Sequence, residues 1–301
     1  MRISAKFLLM CLCVFLFSCD DRPAHPDSLG KGEIDISVDE TFRPVMEEQS
    51  KVFDSSFPDA RVHIHYKSEA ACFKDYFDKK ARLILVTRDL SKEEKEACKQ
   101  RQIYPTALAL ARDAVAVILN NAATGDTLMD MAVLKGILTG QYSKKYTVVF
   151  DNSASSTVRF ITDSVLRGEK LGSNVFAAKG NSEVVEYVKN NPDAIGFVGL
   201  GYVADTADPN NTGSFIKSVK VVAIKNEQTG EFLQPYQAYI ALKTYPLTRH
   251  IYYINSESYP GLGTGFANFL SYQRGQLIFF HADMFPVRSE MVIRDAQINS
   301  K

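Results

Sequence analysis

The chain runs to 301 residues and carries 35 lysines and arginines against 35 aspartates and glutamates, with 46% hydrophobic residues. That balance leaves no basic excess with which to hold nucleic acid. The length is sufficient for two lobes, each with its own hydrophobic core.

The N-terminus speaks to compartment. Arg2 and Lys6 precede an apolar run from Phe7 to Phe17 that is too short to span a bilayer comfortably and has the charge pattern of a secretory signal. Its end, Leu16-Phe17-Ser18-Cys19, resembles the lipobox of bacterial lipoproteins, which implies cleavage after residue 18 and lipid on Cys19. Residues 1–18 are thus expected to be a signal peptide, and the mature chain to be exported and lipid-anchored, facing the periplasm or cell surface. Losing Arg2 and Lys6 leaves 33 basic residues against 35 acidic, a net charge of −2. Cys11 and Cys13 leave with the signal, so Cys72 and Cys98 remain as ordinary thiols. An oxidising compartment permits a disulfide between them, and their spacing leaves a bridge and two separate buried thiols both open.

Residues 19–32, with prolines, glycines and charges, read as a flexible tether. Alternation then predicts strands over 33–38, 61–66 and 82–87, separated by helical spacing over 42–53 and 69–77. Ser91-Lys92-Glu93-Glu94 is a capping box that starts a third helix. The apolar run 107–119, broken only by Arg112 and Asp113, is long enough for an extended strand pair or a crossover between lobes. A second alternating set follows, with helices over 127–138, 156–166 and 182–190 and strands over 147–150, 194–199 and 219–224. A return segment begins near Gln234 and leads to a strand around 251–254 and to helices from Gly265 and Gln273. Strands alternating with helices at this pace imply an α/β fold with mostly parallel sheets flanked by helices.

Within the second set, Asp151 to Thr157 joins a buried strand to a helix start. Such a start leaves N–H groups unpaired and partly positive, and Ser155, Ser156 and Thr157 add hydroxyls, so the turn suits an oxyanion as well as an ordinary cap. His63 and His65 share one strand face, but two ligands do not complete a tetrahedral metal shell. Gly261 to Gly265 follows a polar turn and lacks the full dinucleotide fingerprint, so it reads as a helix lead-in. No metal and no cofactor are expected.

Several short stretches in shared order carry a family likeness. They are Ser37 to Pro44, Tyr66-Lys67-Ser68-Glu69, Leu83 to Leu90 and Asn152 to Phe160, with Ala194 to Val198, Tyr245 to Arg249 and Phe269 to Gln276 as packing landmarks. From about Glu33 to Arg288 the chain resembles the phosphate-binding proteins that feed bacterial phosphate ABC importers, within the type II periplasmic binding proteins. The resemblance implies two lobes joined by a two-strand hinge, residues 33–112 with 235–301 forming the first and 113–234 the second. It also implies a phosphate, or a similar oxyanion, held by Thr41, Phe42 through its backbone, Ser68, Ser155, Ser156 and Thr157. The protein would be a monomer working with an ABC permease and would not be an enzyme.

Three departures bear on that site. Ser156 stands where the family has glycine, Asp151 where it has arginine, and Arg82 where it has aspartate. The paired sign change leads to the expectation that Arg82 and Asp151 face each other across the cleft as a reversed ion pair, with Asp151 accepting a hydrogen bond from a protonated anion. Arg88 and Arg159 are alternative cationic contacts. The competing functions are a cell-surface interaction lipoprotein on the same fold and an exported hydrolase. The second has no Gly-x-Ser-x-Gly elbow and no metal cluster to support it.

Overall fold

The computed structural model describes residues 25–123, 127–206 and 213–288, so the signal peptide and Cys19 lie outside the described residues. Strand β1 (Gly32–Asp39) pairs in parallel with β2 (Ala60–Lys67) and β3 (Leu83–Val86). Between them run α1 (Arg43–Ser56) and α2 (Glu69–Phe77), and α3 (Lys92–Gln100) follows β3 behind the predicted capping box. Along β1 the inward residues alternate with exposed Glu33 and Asp35 at the rim, then Ile36 to Asp39 are all buried as the strand enters the molecule.

The apolar run is a single strand, β4 (Thr106–Asn120), and it serves both lobes. At 15 residues it extends about 50 Å. Its first half pairs with β12 (Thr248–Asn255), which in turn borders β3. Its second half, buried on both faces, pairs with β8 (Ala194–Gly199), beside which lie β6 (Thr147–Phe150) and β7 (Val175–Ala177) in parallel. The helices of this half are α4 (Met131–Leu138), α5 (Ser156–Ile161) extended by a π turn, Thr162–Leu166, and α6 (Asn181–Asn190). The predicted helix over 127–138 begins late, because Leu128–Met129 forms a short strand, β5, and Asp130 caps the helix through Val133 N–H. The predicted strand 219–224 is split. Val219–Val221 (β9) pairs with β4, while Ala223–Lys225 (β10) turns away to join β5 and β11 (Phe232–Leu233) in a small separate sheet.

The cores follow this division. The first lobe has one around Ile36, Val38, Phe53, Leu85 and Phe266 and a smaller one around Phe73, Tyr76, Ile84 and Val86, and the second core, that of the other lobe, gathers Val117, Ile118, Phe150, Ile195 and Phe197, with the Phe150 and Phe197 rings stacked at 4.8 Å. Ile240, Tyr245 and Leu247, on and after α7 (Gln237–Ala241), pack in the second core, and Val115 N–H bonds Leu247 C=O. The Tyr245 hydroxyl donates to Val115 C=O and its ring fills the second core, while Gln237 Nε2 donates to Phe280 and Met284 C=O of the first lobe, so residues 237–247 bridge the two.

The N-terminal segment also differs from expectation. Residues 25–31 are packed against the first lobe rather than serving as tether: His25 stacks on Tyr259 at 3.9 Å, and Leu29 crosses α8 (Leu262–Ser271). A Cβ at Gly265 would stand 1.8 Å from Leu29 C=O, so the crossing requires glycine there. The chain closes with α9 (Gln273–His281) and β13 (Phe285–Pro286). Cys72 and Cys98 are both buried and unbridged.

Candidate functional site

The parallel strands of both lobes point their C-terminal ends at one another, which is where open α/β sheets place ligands. From the first lobe come Asp39 and Thr41 after β1, Ser68 and Glu69 after β2, and Thr87 after β3. From the second come Asp151 to Thr157 after β6 and Gly199 at the end of β8. Thr41, Ser155, Ser156 and Thr157 are all buried, and Thr41 Oγ1 lies 3.4 Å from Ser156 Oγ across the lobes. A Cβ at Gly199 would stand 2.3 Å from Thr41 Cγ2, so only glycine permits this approach.

Arg249, on the crossing strand β12, lies at the centre. It is 3% exposed, and its Nε donates to Asp113 Oδ2 on β4 at 2.9 Å. Its Nη1 donates to Ser156 Oγ at 3.1 Å and Thr157 Oγ1 at 3.5 Å, and its Nη2 has no partner. The sequence presented Tyr245 to Arg249 as a packing landmark. The available signal was the arginine itself, a charge in phase with Ile251 and Tyr253 on the buried face of an alternating strand.

Asp39 closes the other side. Its Oδ1 accepts from Thr41 N–H at 2.9 Å and its Oδ2 has no partner. Burial and the neighbouring Glu69 charge push its carboxyl up to about 7, against the pull of Arg249. Phe42 is fully buried beneath Arg249, with the guanidinium carbon 5.7 Å from its ring centre. Ser68 is half-buried and makes no side-chain cap to α2. Guanidinium, hydroxyl and carboxyl groups in this arrangement can hold an oxyanion that carries a proton.

Around this centre the lobes are joined by charge. Glu69 accepts from Thr87 N–H and Oγ1 and, across the lobes, from Arg159 Nε at 2.6 Å. Burial opposes its ionisation, but the Arg159 bond and charge hold its carboxyl below the usual range. Glu40 likewise reaches Asn181 Nδ2 at 2.7 Å and the Tyr202 hydroxyl at 2.5 Å in the second lobe. Neither carboxylate was singled out by the sequence. Acidic residues in the first turn of a helix ordinarily complement its dipole, and nothing local shows that these two reach across a cleft.

The reversed ion pair between Arg82 and Asp151 does not form. Arg82 precedes β3 and so sits at its N-terminal end, about 13 Å along the strand from the cleft edge. It binds Asp27, reaches Glu257 at 3.2 Å and donates to the Tyr259 hydroxyl. Asp151 does reach the cleft, but its oxygens are taken by Ser155 Oγ at 2.6 Å and Asn181 Nδ2 at 3.2 Å. Burial raises its carboxyl, partly offset by the Ser155 bond. Ser155 is itself the cap of α5, accepting from Val158 N–H. Arg88 makes a two-pronged bond to Glu94, at 2.6 and 2.9 Å, over the Phe73 ring, and stays within the first lobe. His63 and His65 lie near Glu33 and Asp35 on the open face of the sheet, and no metal-binding group of three is present among the described residues.

A two-lobed α/β molecule with two strand crossings and polar groups converging between its lobes has the architecture of the periplasmic binding proteins. Residues 23–273 match a sequence family described as the PBP superfamily domain, and the chain belongs to that family. It is 24% identical over 246 residues to the phosphate-binding protein PstS of Pseudomonas aeruginosa, covering 74% of this chain and 72% of that protein. A Clostridium perfringens protein assigned as a phosphate ABC transporter substrate-binding protein, solved with bound phosphate, superposes with a TM-score of 0.71 at 22% identity. That match covers 85% of this chain and all of that one. An ABC-type phosphate transport receptor from Vibrio cholerae superposes with a TM-score of 0.64 at 20% identity, over 84% of this chain and 99% of that one.

Proposed function

We propose that this protein captures inorganic phosphate between its lobes, outside the cytoplasm, and delivers it to an ABC permease without altering it chemically. The observation that carries this reading is Arg249, fixed by Asp113 with one N–H pair turned toward Ser156 and Thr157 and another left without a partner. Thr41, Ser156 and Thr157 contribute hydroxyls, Phe42 and Ser68 contribute from the first lobe, and Ser155 holds the α5 start in place. Arg249 supplies the positive charge that the family loop carries at the position of Asp151. Lipid on Cys19 would keep the protein at the membrane beside its permease.

Calorimetric titration of the mature chain, first stripped of carried anion by unfolding and refolding, tests the proposal. Inorganic phosphate is expected to bind once per chain with a Kd of about 1 μM or tighter. Absence of any response to phosphate, with the protein folded, would remove the reading.

A further inference from the structure

We infer that anion capture in this cleft is coupled to a proton on Asp39: in the ligand-bound state this carboxyl is neutral, and its unpartnered oxygen completes the ligand's coordination opposite Arg249. The inference rests on the reading of the cleft as a phosphate site.

Asp39 is 1% exposed and Arg249 is 3% exposed, and each keeps one polar atom, Oδ2 and Nη2, without a partner. Two such atoms, an acceptor or hydroxyl and a donor, belong to one buried cluster in which the Arg249 charge acts on the Asp39 carboxyl, and not to a solvated rim. The charged and titratable groups around Asp39 come from four elements, α2, β2, β12 and β4. Glu69 and Cys72 lie on α2, with Asp75 and Lys67 paired behind them, and Arg249 on β12 is backed by Asp113 on β4. The nearby cations are already claimed: Arg249 by Asp113, Arg159 by Glu69 and Lys67 by Asp75. An ionised Asp39 would therefore meet an incoming oxyanion with Glu69 close by and no cation of its own, in a site closed to water. Like charges so placed cannot all remain ionised, and the proton goes to the group already least inclined to lose it. Burial and Glu69 have moved that group to about 7. Above neutral pH the anion must therefore bring a proton with it.

The test is calorimetry with inorganic phosphate at pH 8, in two buffers of different ionisation enthalpy, on the full mature chain, Asp39→Asn and Asp39→Ser. The wild type is expected to take up about one proton more than either variant. Its affinity should also fall about tenfold more steeply per pH unit between pH 7.5 and 8.5. Equal proton uptake in all three proteins, with binding intact, overturns the inference and leaves the phosphate site standing. No phosphate binding by the folded wild type overturns both. Should the variants lose binding, carboxyl carbon NMR of the wild-type phosphate complex at pH 8 decides. An aspartate resonance at the protonated position that is missing from the Asp39→Asn spectrum supports the inference, and the lack of such a resonance overturns it.

Discussion

Two corners of the molecule are built from the same parts, a helix start, carboxylates and an arginine, yet one sets two carboxylates against its arginine and the other pairs its arginine with one. At the start of α8, Asp27 accepts from Leu262 N–H, and Glu257 accepts from Gly263 and Thr264 N–H, at 3.0, 3.0 and 2.7 Å. Arg82 pairs with both acids, although its Nε makes no hydrogen bond. In the cleft, Arg249 is more deeply buried and pairs with the single carboxylate of Asp113, and Arg249 and Asp39 each retain an unpartnered atom. Two carboxylates close a joint around their arginine, whereas a buried cation with one carboxylate keeps capacity for an anion, because a buried polar atom without a partner costs free energy that an incoming group can recover.

Arg249→Met should have the largest effect. It should lower folding stability by about 3–5 kcal/mol, since Asp113 is left buried and unpaired. It should also weaken phosphate binding at least ~100-fold. Denaturant unfolding and calorimetry read the two effects, and unchanged phosphate affinity would remove Arg249 from the site.

Asp39→Asn comes next. A carboxyl raised in the folded state contributes stability that is full below its unfolded value, near pH 4, and is lost as pH climbs through about 7. Asn has no such loss, so relative to its standing at pH 4 the variant should gain about 4 kcal/mol on the wild type by pH 8. Urea midpoints measured across that range check the sign. A lead that does not grow with pH would mean Asp39 ionises normally.

Arg82→Ala should have the smallest effect on binding, costing about 3 kcal/mol of folding stability because Asp27 and Glu257 are left buried and uncompensated. Phosphate affinity should stay within about twofold. Hydrogen exchange should show residues 25–31 released from α8. A large loss of affinity would return Arg82 to the cleft.

The regular elements were legible because their signals are local. Helix 69–77 and strands 147–150 and 194–199 fall where alternation and helical spacing place them, and the Ser91–Glu94 box caps its helix as read. The break at Val222 was not legible, because β9 and β10 pair with different sheets and a continuous apolar run looks the same either way. Ser155, Ser156 and Thr157 stood out as hydroxyls at a strand-to-helix turn and Thr41 through the family resemblance, and all four lie buried where the lobes meet. Arg249, Asp39, Glu69 and Asn181 were not, since each acquires its role from a residue far along the chain.

By itself, the sequence determined the α/β class, the order of elements and the hydroxyl loops that reach the cleft, all consequences of periodicity and turn chemistry within a few residues. Only the tertiary structure decided which charges meet. Arg82 and Asp151 had changed sign together on paper, yet one lies at the N-terminal end of its strand and the other at the C-terminal end of its own. Coulomb forces act through space at a few ångströms, so a charge takes its partner from the fold, and here the fold gave Arg82 to Asp27 and left Arg249 facing the cleft.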